Sequence, residues 1–150
     1  MSRKYKFHNK QGAYFISFAT VYWLDVFTRH VHLIFRSSND DPSGLIRDFK
    51  GFTARKLIKT IDDNPQESRK DYLLWMMKRA GKKNSNVEKF QFWQQHNKPI
   101  ELWSEKVIQQ KINYIHNNPV EAGFVTNPVD WKYSSARNYQ EDQTVLEIDI

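Results

Sequence analysis

The sequence contains no cysteine, and its five glycines and five prolines lie scattered along 150 residues. The lack of cysteine excludes disulfides, thiolate metal sites and cysteine nucleophiles. No stretch is rich enough in glycine or proline to act as a linker. We therefore expect a single domain over residues 1–150, with an acidic tail at 141–150.

Long hydrophobic runs are also missing. No apolar stretch approaches the roughly 18 residues of a membrane span. The start of the chain, MSRKYKFHNKQGAYF, holds no apolar run of the length that a secretory signal needs. These absences predict a soluble cytoplasmic protein that makes no membrane contact.

Basic residues outnumber acidic ones by 23 to 17, which gives a net charge of +6. The last ten positions hold four of the acids and no base, so residues 1–140 carry 23 bases and 13 acids, a net charge of +10. Aromatic residues make up 15% of the chain. This combination is typical of proteins that bind single-stranded nucleic acid, although a basic protein with a bulky core has the same composition.

Runs of β-branched and aromatic residues predict three strands, over residues 15–23, 30–36 and 89–95. Three helices are predicted by caps and apolar periodicity. The first begins at Asp41 and Pro42, and the second covers residues 68–80 with Gly81 as its stop. The third follows Ser104 and ends at or before Asn118, because a proline comes next. The order of elements favours an α+β fold, with helices on one face of a mostly antiparallel sheet.

His30 and His32 lie two residues apart in the second predicted strand. Since strand side chains alternate, both imidazoles are expected on one face and Val31 on the other. Two nitrogen donors at this spacing can share one divalent ion. A half-exposed strand pair without a metal is the other interpretation.

Lys111, Tyr114 and Asn118 share one face of the third helix, because residues three and four apart are neighbours there. A phenol can attack phosphorus, and an amide oxygen is an acceptable ligand for a hard metal ion. The other interpretation is a boundary tyrosine followed by an asparagine that stops the helix before proline.

Three segments are similar to a known family: the histidine strand at 30–35, the segment FWQQHNKPIEL at 92–102, and the tyrosine helix with its exit at 114–125. Together they resemble the single-tyrosine HUH transposases, in particular the REP-associated kind. The resemblance implies a ferredoxin-like or RRM-like α+β fold. It also implies metal-dependent nicking and rejoining of single-stranded DNA, often at hairpin-forming ends.

The same resemblance implies that His30, His32 and Asn118 are ligands of Mg²⁺ or Mn²⁺, and that Tyr114 is the nucleophile that takes the 5′ phosphate. Lys111 is expected to orient the scissile phosphate. Further basic side chains are expected to contact DNA phosphates in a nucleoid-associated protein: Arg36, Lys78, Arg79, Lys82 and Lys83.

The chain departs from that family before the histidine strand. Family members place a helix and a further strand there, whereas residues 26–29 lead directly into His30. We expect this to leave a sheet edge and an apolar helix face uncovered, for a second copy or a partner to cover. Three functions stay open: an active HUH transposase, an inactive single-strand nucleic-acid binding module, and a basic interaction domain without a nucleic-acid role.

Overall fold

Three strands and three helices form the regular structure of residues 6–26, 30–85, 89–140 and 144–148, the part of the chain that the computed structural model describes. The chain divides into two compact units, Met1–Glu101 and Leu102–Ile150. Within the described ranges, no helix has the length and apolarity needed to cross a membrane. The elements in chain order are β1 Ala13–Ala19, β2 His30–Arg36, α1 Pro42–Asp63, α2 Lys70–Lys82, β3 Ile100–Leu102 and α3 Glu105–Glu121.

The strands form one sheet in the order β2-β1-β3. β1 and β2 are antiparallel, in a register that pairs Ile16 with Leu33 and Ser17 with His32. Side-chain alternation therefore puts Ile16 and Leu33 on one face of the sheet and His32 on the other. The predicted α+β fold with an antiparallel sheet is confirmed, and the arrangement is compatible with a ferredoxin-like fold.

The core of the first unit lies between β1 and the helices α1 and α2. Ile16 and Phe18 of β1 pack with Ile46 of α1, Met77 of α2 and Phe92, and each of these side chains is almost completely buried. Burial of one such side chain stabilises the fold by about 1.5–3 kcal/mol. Both helices thus cover the same sheet face, as the sequence predicts.

The predicted starts of α1 and α3 are confirmed, whereas α2 begins at Lys70, two residues after its predicted start. Asp41 caps α1, since its Oδ1 accepts a hydrogen bond from the backbone N–H of Gly44 at 2.8 Å, and Pro42 occupies the first turn. Ser104 caps α3 by accepting from the N–H of Val107 at 3.4 Å. β2 has the predicted bounds, His30–Arg36.

The first strand is shorter than predicted, because it ends at Ala19 instead of at residue 23. The chain leaves the sheet in a 3-10 turn over Val21–Trp23. Tyr22 and Trp23 have φ angles of 53° and 55°. This left-handed backbone cannot continue a strand.

The strand predicted at 89–95 is wrong, although its aromatic residues reach the core. Trp93 forms only an isolated bridge to Thr20. The N–H of Gln94 donates to Ala19 at 2.8 Å, but the N–H of Ser17 donates to Asn97 at 3.0 Å, one residue beyond the position that a regular ladder requires. The extra residue ends the pairing, and regular structure resumes in β3.

Two helix ends lie beyond their predicted positions. α2 continues through Gly81 to Lys82, and a Cβ built on Gly81 would lie 2.8 Å from the carbonyl oxygen of Lys89. Gly81 therefore allows a close backbone approach and does not end the helix.

α3 continues through Pro119 to Glu121. Proline in the last turn removes one backbone donor, and the helix ends instead in a Schellman motif. In that motif the N–H of Phe124 donates to Pro119, the N–H of Gly123 donates to Val120, both at 2.9 Å, and Gly123 has a φ of 76°.

A sheet edge and a partly exposed apolar helix face are present among the described residues, and their origin in the short connection before His30 stays a prediction. β2 is an edge strand of the sheet formed by the described residues. Leu45, Phe49 and Phe52 lie along one face of α1, and each is more than 40% exposed. Part of that connection, residues 27–29, and part of the predicted acidic tail, residues 141–143 and 149–150, fall outside the described residues.

Candidate functional site

The imidazole rings of His30 and His32 lie side by side on the sheet face opposite the core. Their centroids are 4.7 Å apart and their planes cross at 71°. In the register with β1, Ala19 is opposite His30 and Ser17 is opposite His32. The two rings therefore lie on one face of the sheet, as the strand period predicts.

Two aromatic side chains border the pair. Phe15 is buried and stacks on His32, with ring centroids 5.6 Å apart and planes 17° from parallel. Trp23 meets His30 edge to face at 6.3 Å, and its side chain is 57% exposed. Sequence reasoning missed Trp23 as a site residue, because it treated Trp23 as the end of a strand.

The chemistry of the pair fits a divalent cation. Neutral imidazole nitrogens are good ligands for Zn²⁺, Fe²⁺ and Ni²⁺, whereas Mg²⁺ and Mn²⁺ prefer oxygen ligands. Both ring nitrogens of His32 are buried. Among the residues that the structure describes, no group of three or more His, Asp or Glu side chains could hold a metal. The predicted third ligand, Asn118, belongs to the second compact unit, and its role as a ligand stays a prediction.

Tyr114 and Lys111 are neighbours on α3. The Lys111 Nζ atom lies 5.5 Å from the centre of the Tyr114 ring, which is a cation–π distance. The Tyr114 side chain is 42% exposed, so its phenol can be reached from solvent. Asn118 is half-buried and lies one helical turn after Tyr114. The predicted grouping of these three residues on one helix face is observed.

The opposite face of α3 packs on the C-terminal segment of the second unit. His116 makes a 3.0 Å hydrogen bond between Nε2 and Ser135 Oγ, and its ring meets Tyr139 edge to face at 5.2 Å. Burial lowers the pKa of His116 below its usual value. Tyr114 lies two positions before His116, which is about 200° around the helix axis. Since His116 faces the C-terminal segment, Tyr114 points away from it.

Four of the five basic residues predicted to contact DNA form one cluster, and the fifth, Arg36, lies apart from it. Lys78, Arg79, Lys82 and Lys83 are all exposed at the C-terminal end of α2. Arg36 is exposed at the last position of β2, six residues from His30, which is roughly 20 Å along a strand. Arg36 does not adjoin the imidazole pair, because the nearer histidine, His32, is four residues away, roughly 13 Å along the strand.

Lys83 also lines an open groove of ≈ 430 Å³. The groove is polar, and its amide side chains can both donate and accept hydrogen bonds, as the edges of unpaired bases require. Its other principal lining residues are Asn84, Gln91, Gln94, Gln95 and His96.

Lys50 holds one wall of this groove in place. Its ammonium group donates to the carbonyl oxygen of Gln94 at 2.6 Å and to Asn97 Oδ1 at 2.7 Å, and it lies 5.3 Å from the Phe18 ring centre. Burial lowers the pKa of Lys50 from 10.5 to about 8. This lysine is a positioning residue that sequence reasoning missed, because nothing local distinguishes it from the other lysines of α1.

The structure thus brings the predicted residues together in two groups. His30 and His32 lie in the first compact unit, and Lys111, Tyr114 and Asn118 lie in the second. Compared with protein-family models, with curated proteins and with solved structures, the chain matches none of them.

Proposed function

We propose that this chain is a DNA transposase-like protein of the HUH type. It would cleave single-stranded DNA in a metal-dependent reaction and transfer the strand through a 5′-phosphotyrosine intermediate, in DNA transposition and recombination. The observation that carries this proposal is the side-by-side placement of His30 and His32 on the sheet face opposite the core.

The second group supplies a nucleophile in an accessible position. Attack of the Tyr114 Oη on phosphorus forms a new P–O bond and breaks the bond to the 3′ oxygen. The phenol proton passes to water, and the leaving 3′ oxygen takes a proton from water and becomes a hydroxyl. The number of phosphoester bonds is unchanged, so the reaction needs no ATP and the 3′ hydroxyl can reverse it.

The remaining residues bind and orient the DNA. Lys111 holds its positive charge beside Tyr114, where it attracts the scissile phosphate. His30 and His32, with Asn118 as the third ligand, would hold a Mn²⁺ or Mg²⁺ ion. When bound, such an ion makes the phosphorus more electrophilic by withdrawing charge from a non-bridging oxygen. The half-exposed Trp23 ring next to His30 would stack on a base close to the cleaved bond.

The basic cluster of α2 and the groove at its end support single-stranded DNA as the substrate, and the family resemblance suggests hairpin-forming DNA. We propose that a protein with this substrate acts in the cytoplasm, with the nucleoid. The uncovered β2 edge and the exposed face of α1 favour association with a second copy. Sedimentation over a concentration series tests this last point, because a single monomeric species at every concentration would exclude it.

A second candidate function is an inactive single-strand nucleic-acid binding module. Binding needs only exposed cations such as those at the end of α2, whereas catalysis requires the reacting groups to meet within about 3–3.5 Å. The basic surface of α2 would serve either function.

Cleavage of a labelled DNA hairpin with a single-stranded flank, analysed on a denaturing gel, tests the two functions. We expect cleavage with Mn²⁺ or Mg²⁺, none with EDTA, and none by the variant Tyr114→Phe. Tyr133→Phe is the matched control, because Tyr133 is an exposed tyrosine of the same unit. Equal cleavage by Tyr114→Phe would overturn the tyrosine mechanism, and tight binding without any cleavage would favour the binding module.

A further inference from the structure

The outer face of α2 presents two aromatic rings to solvent. The helix buries Leu73, Met77 and Ala80 in the core of the first unit. At about 100° per residue, the side chain of Trp75 points away from all three. Trp75 is 53% exposed, and Tyr72, three residues earlier on the same face, is 55% exposed. The largest apolar ring of this helix therefore occupies its outermost position.

These rings and a guanidinium group form one continuous arrangement. The ring centroids of Tyr72 and Trp75 lie 6.4 Å apart, with their planes tilted by 32°. The guanidinium carbon of Arg79 lies 5.3 Å from the centre of the Trp75 ring, within the range of a cation–π contact. Aromatic rings and guanidinium planes are both surfaces on which unpaired bases stack.

Positive charge continues along the same face. Lys82 follows Arg79 by three residues and Trp75 by seven, so it lies in line with both of them. The helix dipole by itself favours cations at a helix C-terminus. It does not explain the exposed rings, because an uncharged ring gains nothing from the dipole and loses free energy by contact with water.

The charge on this surface selects its partner. Asp71 is the single acidic residue of α2, whereas the C-terminal half of the helix carries Lys78, Arg79 and Lys82 and is followed by Lys83. An acidic polymer complements this charge, and unpaired bases complement the rings. An apolar protein surface would not account for the cations.

We infer that the face formed by Tyr72, Trp75, Arg79 and Lys82, here called the α2 platform, is a stacking site for single-stranded DNA. Trp75 and Tyr72 take unpaired bases, while Arg79 and Lys82 contact phosphates. This inference rests on the proposed function and adds to it the surface that holds the strand.

The α2 platform is tested by fluorescence anisotropy with a fluorescein-labelled oligothymidylate of about 20 nucleotides, which has no base-paired structure. We expect Trp75→Ala to weaken binding about tenfold and Trp75→Phe, which keeps a ring, to retain most of the affinity. Trp103→Ala is the matched control, because Trp103 is an exposed tryptophan of the second unit. It should bind like the unmodified chain.

The salt dependence of binding separates stacking from charge. Trp75→Ala should leave the slope of log Kd against log salt unchanged, since the ring carries no charge. Lys82→Ala should reduce that slope by about one. With the same sequence annealed to its complement, Trp75→Ala should have little effect, because the bases of a duplex are already stacked on one another.

The outcomes distinguish this inference from the proposed function. Equal affinity of Trp75→Ala and the unmodified chain would overturn the α2 platform, while leaving the tyrosine chemistry intact. A tenfold loss for Trp75→Ala in a chain that never cleaves DNA would establish the platform without the transposase activity. A chain that does not bind the oligonucleotide would overturn the α2 platform, and the hairpin cleavage assay decides the proposed function separately.

Discussion

His30 and His32 meet edge to face, with ring centroids 4.7 Å apart, on the side of β2 that faces away from the core. The strand period places them there, opposite Ser17 and Ala19 of β1. Two nitrogen donors in this position are the strongest indication of a metal in the described residues.

Mn²⁺ should bind at this pair. We expect His30→Gln to weaken binding about tenfold or more, since loss of a supporting residue alone typically costs 10- to 100-fold. His96→Gln, which changes an exposed histidine of the same unit, should bind Mn²⁺ like the unmodified chain. The electron paramagnetic resonance signal of free Mn²⁺ measures Mn²⁺ binding by each variant. If His30→Gln binds Mn²⁺ as tightly as His96→Gln does, His30 is not a ligand.

Lys111→Met should reduce the single-turnover cleavage rate by about a hundredfold at saturating DNA, because the charge beside Tyr114 is lost. DNA affinity should change little, since many other cations contribute to it. Lys106→Met, at an exposed position on the same helix, serves as the control. A rate equal to that of the control would show that Lys111 does not act on the reacting phosphate.

Gly81→Ala and Gly51→Ala should change stability in opposite directions. Alanine is favoured over glycine in a helix by about 0.5–1 kcal/mol. Gly51→Ala should therefore stabilise the fold, because the nearest atom to the new Cβ is a side-chain nitrogen of Arg55 at 3.4 Å. Gly81→Ala should destabilise it, because the new Cβ would meet the Lys89 carbonyl oxygen at 2.8 Å. Urea denaturation measures both, and a stabilising Gly81→Ala would contradict the close backbone approach.

Stability should depend on pH through Lys50. Its pKa is about 8 in the folded chain and 10.5 when unperturbed, so between these values the unfolded chain binds more protons than the folded chain. The free energy of unfolding contributed by Lys50 therefore rises with pH in this window, by at most about 1.4 kcal/mol per pH unit. Below pH 8 both states are protonated and the cost of burying the charge is present in full.

Urea denaturation between pH 8 and 10 tests this prediction. Lys50→Met should show a smaller rise in stability than the unmodified chain, whereas Lys56→Met, which changes an exposed lysine of the same helix, should rise as the unmodified chain does. If all three proteins share one pH dependence, the lysine is not desolvated in the fold.

Signals that depend on near neighbours could be read from the sequence. The Asp41–Pro42 start of α1, the Ser104 cap of α3 and the bounds of β2 all follow from local chemistry, and the sequence predicts each of them correctly. The common face of His30 and His32 follows in the same way from the strand period.

Features set by distant contacts could not be read in this way. In the sequence, Gly81 has the position of a helix stop. In the structure it lies within α2, where the backbone of Lys89 packs against it. The strand predicted at 89–95 fails because Asn97 pairs one residue out of register with Ser17. The exposure of Trp75 could not be predicted either. Residues 73–77 are five consecutive apolar residues, which cover every side of a helix, so the sequence does not indicate which side is buried.

The central claim is that Tyr114 forms a covalent bond to DNA, and mass spectrometry tests it most directly. The chain is incubated with single-stranded hairpin DNA and Mn²⁺, then treated with nuclease and trypsin. The tryptic peptide 112–132 contains Tyr114 as its single tyrosine. The account predicts a phosphonucleotide on this peptide, which is absent with EDTA and in Tyr114→Phe. An adduct on another peptide, or none from a chain that binds both DNA and Mn²⁺, would contradict it.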